Sequence, residues 1–406
     1  MDGSADFPEG TSVKYAGPRD YRTQGRHAVF PETDHDDCER FNYLAHVNRY
    51  IRERIQPRIE DAYNARVEPK FVAEKGRKPK DRTEARKLLL TEPMFQYYSA
   101  FRRANMEQRQ QAGRWVALRQ AEALAAKAAA LTDGDPRLQL NPDLKIPKYL
   151  VDVHHHCMPG SYYEENFPGD VVNAANYDCG FFVTNGGAEG QEWLDTVGTA
   201  IAETLQAKFP DLKPKRILDL GASLGHNAVS LAKMYPDAEI VAVDAGAPML
   251  RYGLARAKSL GVDNVTFVQG DVADLTKEFG DESFDLVTSY ILLHEISFPA
   301  MKAIFNECYR LVKKGGVVVH SDIVKNSDQV SVCEQAIRDW DTHYNNEPFH
   351  ALLRELDQHD FFLQSGFSED GFFRASSASF GHTALDGRST PEESALGGVM
   401  MVGAIK

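Results

Sequence analysis

Three groups of residues in this sequence have types and spacings that can do chemistry. The first lies in RILDLGASLGHNAVSLAKMYPDAEIVAVDAG, beginning at Arg216. An apolar run, Ile217-Leu218, ends in Asp219 and gives way to the small-residue loop Gly221-Ala222-Ser223-Leu224-Gly225. A helical stretch follows, and a second apolar run, Glu239–Val243, ends on Asp244. Strand, glycine loop, helix, strand and terminal acid form the layout of a nucleotide-type cofactor site at the carboxyl edge of a parallel sheet. Glycine lets the backbone approach a ligand where a Cβ would clash, and a carboxylate such as Asp244 can accept both hydroxyls of a ribose. The second group is His294-Glu295. The third is Asp152-Val153-His154-His155-His156-Cys157, the densest cluster of titratable side chains in the chain, followed by Met158-Pro159-Gly160-Ser161-Tyr162-Tyr163.

The loop does not supply the dinucleotide fingerprint G-x-G-x-x-G, although an acid does stand about 20 residues further on, as that fingerprint requires. Gln269-Gly270-Asp271-Val272 places another carboxylate at the same edge, where it can accept from an exocyclic amine while the next backbone N–H donates to a ring nitrogen. Phe284–Ser289 then runs into a polar loop, Tyr290–Ser297.

These groups need a scaffold, and the pattern along the chain describes one. Residues 1–33 lack periodicity and read as a flexible or loosely draped arm. From Asp34, apolar residues Phe41, Leu44, Val47, Ile51 and Ile55 recur at helical steps, with Pro57 and Pro69 dividing the region into two helices. Thr91-Glu92-Pro93 reads as the start of a helix running to Leu131. Residues 137–192 are irregular, and Glu192–Phe209 is helical again. Strands at Val265–Val268, Phe284–Tyr290 and Gly316–His320 alternate with helices at Met249–Leu260 and Met301–Leu311, and Val399–Ile405 closes the sheet. That alternation implies an α/β fold whose mostly parallel sheet is covered on both faces.

With these elements in place, the chain resembles the class I S-adenosylmethionine-dependent methyltransferases. The resemblance rests on LDLGASLG at 218–225, VAVDAGAPML at 241–250, QGDV at 269–272, FDLVTSYILLHEIS at 284–297, RLVKKGGVVVHSD at 310–322 and LQSGF at 363–367. It implies a Rossmann-like, mostly parallel seven-stranded sheet with helices on both faces, here preceded by an α-helical N-terminal domain, and S-adenosyl-L-methionine as cofactor. The implied roles are specific. Asp219, Gly221, Ser223 and Gly225 frame the methionine moiety, and Asp244 holds the ribose hydroxyls. Ala245 and Met249 line the adenine, Asp271 and Val272 read its edge, and Ser289 touches the cofactor near the methyl group. Ser223 is a departure, because the family usually has glycine there.

Methyl transfer from a sulfonium is an in-line displacement that needs a positioned acceptor and, where the acceptor carries a proton, a base. His294 with Glu295 can supply that base, or His294 can instead cap a helix or bond a backbone carbonyl. On an extended segment, His154 and His156 share a face with Asp152 while His155 points away. Two histidines and a carboxylate are plausible metal ligands, but no dedicated partner motif appears elsewhere, so no metal is expected. The segment 151–190 instead covers the cofactor, with His156 and Tyr163 as further catalytic candidates and His154 and Tyr162 lining a substrate pocket. An insertion at 328–346 brings Trp340, His343 and Tyr344 to that pocket as a cap. The domain plan is therefore an arm (1–33), a helical cap or dimerisation domain (34–150) and a methyltransferase domain (151–406).

Bulk properties narrow the partners. The chain has 406 residues, a net charge of −13 and 43% hydrophobic residues. No apolar segment approaches the roughly 18 residues of a membrane span, the N-terminus carries no apolar signal core, and five scattered cysteines suit a reducing cytoplasm. The acidic balance disfavours nucleic acid. A methyltransferase acting at O, N or S of a small molecule, with homodimerisation through the N-terminal helices, is the leading expectation. A cofactor-binding regulator and a protein or RNA methyltransferase are the alternatives.

Overall fold

The computed structural model describes residues 19–184, 186–187, 191–323, 330–375 and 400–406. Residues 1–18 of the expected arm, and 328 and 329 of the expected insertion, lie outside the described residues. The rest of the arm is docked: Tyr21 is fully buried, stacked on Phe41 at 4.4 Å and edge-on to Phe182 at 5.2 Å.

The N-terminal region is helical. Helix α1 (His35–Tyr50) opens with a reciprocal capping box between Asp34 and Asp37. It continues through π-helical turns at Ile51–Ile55 and Tyr63–Val67 into α2 (Gln56–Ala62) and α3 (Glu68–Lys75). Pro57 and Pro69 each sit in the first turn after a π segment. The wider π register accommodates the missing N–H, so the prolines punctuate one continuous helical run rather than dividing it in two. Helix α4 (Arg82–Leu89) is capped by Asp81. The expected helix to Leu131 is two helices, α5 (Pro93–Leu118), capped by the side chain of Glu92, and α6 (Ala121–Thr132). Strand β1 (Leu138–Gln139) and α7 (Lys148–Val151) lead to α8 (Val172–Thr184), nearly all of it buried, and α9 (Gln191–Lys208).

The C-terminal half then alternates as expected: β2 (Arg216–Leu220), α10 (His226–Met234), β3 (Glu239–Asp244), α11 (Ala247–Ser259), β4 (Val265–Gln269), β5 (Phe284–Tyr290), α12 (Phe298–Leu311) and β6 (Val312–Asp322). Helices α13 (Val332–Tyr344), α14 (His350–Leu353) and α15 (Gln358–Ser365) precede β7 (Phe372–Ala375) and β8 (Met400–Ile405). The sheet order is β1-β4-β3-β2-β5-β6-β8-β7, parallel except where β8 runs antiparallel to both neighbours. It has eight strands where seven were expected. The extra one, β1, is a two-residue edge strand beside β4, in a segment too short and polar to show strand periodicity. Arg137 anchors it, its carbonyl accepting from Phe267 N at 2.7 Å and its guanidinium bridging Asp135 and Asp263.

Two apolar layers sandwich the sheet. One holds Leu224, Val229, Phe267 and Leu254, and the other Val241, Phe305, Leu311 and Phe362. Among the described residues, no helix is long and apolar enough to cross a membrane.

Candidate active site

The ends of β2, β3, β5 and β6 meet at one sheet edge. Between β2 and α10 the loop turns through left-handed backbone at Gly221 (φ 66°), Ser223 (φ 47°) and Gly225 (φ 75°). That winding directs Ser223 N toward Asp244, which accepts from it at 2.9 Å and from Gly246 N at 2.8 Å. Burial raises the Asp244 carboxyl against the pull of these amides. Asp219 is buried. Its Oδ1 accepts from Asn227 Nδ2 at 2.7 Å and Thr288 Oγ1 at 3.2 Å, while its Oδ2 has no hydrogen-bond partner. Desolvation pushes Asp219 up to about 7. The buried Ser223 Oγ is likewise unpartnered.

Asp271 is half-buried after β4 and accepts from Ala273 N at 3.0 Å, with Val272 buried beside it. Ala245 is held through its carbonyl by Gln269 Nε2 at 2.9 Å, and buried Met249 packs beside Gly246. Tyr149, which the sequence did not single out, lies close enough to Asp271 and Asp244 that both add to the rise burial imposes on its hydroxyl. Ser289 is committed elsewhere: its hydroxyl is hydrogen-bonded to His320 Nδ1 on the neighbouring strand at 2.7 Å.

The second cluster gathers His155, His156, His294, Glu295, Asp322, Glu347 and His350. Glu295 and His294 sit on a 3₁₀ turn (Leu293–Glu295) just after β5, and Asp322 ends β6. Asp322 Oδ1 lies 2.6 Å from His294 Nδ1, and Asp322 Oδ2 accepts from Leu293 N at 2.8 Å. His156 bridges two acids, Nε2 lying 2.8 Å from Glu295 Oε1 and Nδ1 3.1 Å from Glu347 Oε1. Glu347 Oε2 meets His350 Nδ1 at 3.0 Å, and the His350 ring stacks on His294 at 4.6 Å. Burial alone would depress His156, but Glu295 and Glu347 on its two nitrogens outweigh it and hold it up at about 9. Burial opposes protonation of His294 too, yet Asp322 and Glu295 carry it well above the usual imidazole range. His350, dominated by burial and by nearby Arg354, drops to about 4.

The 154–157 segment is not extended. It forms a 3₁₀ turn in which His156 (φ 54°) and Cys157 (φ 58°) are left-handed. The turn rotates the set, so the expected pairing of His154 with His156 is corrected. His155 and His156 both reach Glu295, His155 Nε2 lying 3.0 Å from its carbonyl oxygen. His154 turns away, its Nδ1 accepting from Gly160 N at 3.0 Å. Tyr162 remains beside the cluster, 6.3 Å from the His156 ring, whereas half-buried Tyr163 makes no hydrogen bond within it. Trp340 donates to Ser99 Oγ at 3.1 Å, with His343 beside its ring at 5.0 Å, and Tyr344 packs edge-on to Tyr98 at 6.3 Å. Trp340 and Tyr344 contribute to the junction of α13 with α5, while His343 is exposed. Asp322 could have been found as the acid ending a strand. Glu347 and His350 follow the expected insertion without any spacing signal, and only the fold brings them in.

A family model described as "Methyltransferase domain" matches residues 211–371. Residues 211–371 thus carry a methyltransferase domain. The matched span covers the cradle, the 3₁₀ turn and the Glu347–His350 segment, whereas His155 and His156 reach the methyltransferase domain from outside it. Similar proteins include the demethylmenaquinone methyltransferase of Roseiflexus castenholzii, 36% identical over 27% of this chain and 43% of that protein. The malonyl-[acyl-carrier protein] O-methyltransferase of Methylococcus capsulatus is 32% identical over 33% of this chain and 47% of that protein. The chain thus spans less than half the length of these relatives. An O-methyltransferase family protein from Burkholderia thailandensis aligns with a TM-score of 0.39 at 14% identity, over 58% of this chain and 62% of that one.

Proposed function

We propose that the protein transfers a methyl group from S-adenosyl-L-methionine to an O, N or S atom of a small-molecule acceptor. The observation that carries this reading is the buried, unpartnered Asp219 Oδ2 beside a left-handed loop whose Ser223 amide donates to Asp244, all at the strand ends that also bear His294 and Glu295. An acceptor atom fully enclosed without a donor is costly, and a cationic amino-acid group would satisfy it. Asp244 retains acceptor capacity for a ribose diol, and Asp271 with Val272 N is disposed for an adenine edge.

The cofactor supplies an electrophilic methyl on sulfur. The chain's own residues orient the acceptor. His294, charged by its pairing with Asp322, is poised to hold an electron-rich acceptor atom rather than to take its proton. The Glu295 carboxylate, held well below the ordinary range because His156 and His155 outweigh its burial, is too weak a base to take that proton and instead keeps His156 charged and in place. His156 and Tyr162 cover the cluster and exclude water. Residues 34–150 act as a cap or as the interface of a cytoplasmic homodimer.

Incubating the protein with S-adenosyl-L-methionine and a panel of phenols, carboxylic acids, amines and thiols tests this. A one-methyl mass gain on one class, lost in Asp244→Ala, is expected. Turnover of no class, without cofactor binding by calorimetry, would overturn it.

A further inference from the structure

The His–Glu cluster has an imbalance that hydrogen bonding alone leaves standing. Asp322, Glu295 and Glu347 are three enclosed carboxylates, 0%, 7% and 7% exposed. Among the described residues, their ion pairs are all with imidazoles and none is with a lysine or arginine. Buried carboxylates need a compensating charge, and here every ion-pair partner is an imidazole, a metal-ligand type, while Arg354 acts on Glu347 and His350 without forming an ion pair to either.

The donor atoms are grouped accordingly. One atom from each of His294, Glu347 and His350 lies within 4.8 Å of the others, and all three residues are buried. Ligands around a tetrahedral divalent ion stand roughly 3.4 Å apart, given metal–ligand bonds of about 2.1 Å. Side-chain adjustments of about 1 Å or less would therefore seat an ion. Asp322 on His294 Nδ1 fixes that ring so that its other nitrogen faces Glu295, 3.5 Å away. A carboxylate behind a ligating histidine is how protein metal sites commonly orient the ring and raise its basicity. His350 Nε2 is also buried without a partner.

We propose that His294, His350 and Glu347 bind a divalent transition-metal ion of zinc's kind, with Asp322 orienting His294 and Glu295 completing the charge balance. The three ligands come from two segments remote in the chain, and the histidine run at 154–156 meets the site only through His156 on Glu347. Two histidines and a carboxylate leave a position open to water or to an acceptor oxygen.

The test is metal content and affinity. The full chain, purified without chelator, is assayed by elemental analysis. It is then stripped and titrated with zinc chloride against a chromophoric chelator, with manganese as comparator. One zinc per chain is expected, together with at least about a hundredfold weaker binding in Glu347→Gln and His350→Asn and about a tenfold loss in Asp322→Asn. Circular dichroism establishes that each variant is folded, and the exposed His35→Ala serves as a control that retains full affinity. Zinc affinity unchanged in folded Glu347→Gln or His350→Asn, or substoichiometric weak binding by the parent chain, would overturn the proposal. The readout does not involve methyl transfer, so a chain that binds zinc but methylates nothing supports the metal site while failing the reaction proposed above.

Discussion

The backbone carbonyl of Tyr162 rests where a side chain on Gly246 would stand. Gly246 follows Asp244 at the cofactor-facing end of β3, and Tyr162 belongs to the segment that carries His155 and His156. One glycine therefore sets how closely that segment lies over the cradle. Gly246→Ala is expected to cost about 1–3 kcal/mol through overpacking and to weaken S-adenosylhomocysteine binding, because the cover must lift. Denaturant unfolding and calorimetry measure the two effects; unchanged affinity would mean that the cover does not bear on the cradle.

Ser223 occupies left-handed backbone that L-residues enter at a cost of about 1 kcal/mol. Its contribution is its amide, which donates to Asp244. Ser223→Gly keeps that amide, so its stability should stay within about 1 kcal/mol of the parent, relief of strain offsetting glycine's greater freedom in the unfolded chain. Ser223→Val should destabilise by about 2 kcal/mol or more. Equal unfolding midpoints for the two variants would contradict the assignment.

Asp219, pushed up to about 7, is half neutral near pH 7. It faces Asn227 and Thr288, with Asp244 the nearest other acid contributing to its rise. Only the carboxylate can pair with a cationic group. S-adenosylhomocysteine affinity should therefore climb about tenfold per pH unit up to 7 and level off above it. Asp219→Asn should bind more weakly and lose this slope. A flat parent profile between pH 5.5 and about 7 would count against a cation at Asp219.

His320 is enclosed by Phe305 and Phe362, with Ser289 on one nitrogen, Cys308 near the other and Asp322 two residues on. Burial lowers it from 6.5 to about 4 despite Asp322. Between those values the unfolded chain binds the proton and the folded chain does not, so stability rises with pH across the window. It is complete above 6.5, and about 3 kcal/mol is lost as pH falls to 4. His320→Gln should flatten this part of the profile in chemical denaturation at stepped pH. A variant with the parent's slope would place the titration elsewhere.

Much of the cofactor half was legible in the sequence because its signals are local. A strand that ends in an acid, a small-residue loop and a helix start lie within a few residues of one another, and backbone geometry converts that spacing directly into a cradle. Asp219, Ser223, Asp244 and Asp271 could be named for that reason. The strand count was missed by one, since two residues held by Arg137 carry no periodicity.

The acid–base cluster is different in kind. His155 and His156 come from a loop, His294 and Glu295 from the end of β5, Asp322 from β6, and Glu347 and His350 from beyond α13. Their meeting depends on strand order and on two consecutive left-handed residues that turn the histidine run over, and neither is written in residue spacing. Trp340, His343 and Tyr344 had the composition of a pocket, yet α13 packs Trp340 and Tyr344 toward α5 and leaves His343 exposed. The sequence by itself determined which residues line the glycine-loop cradle, because that cradle is built by contiguous backbone. Tertiary structure alone decided which residues gather in the His–Glu cluster, because burial beside distant partners, and not residue type, sets their charge and reach.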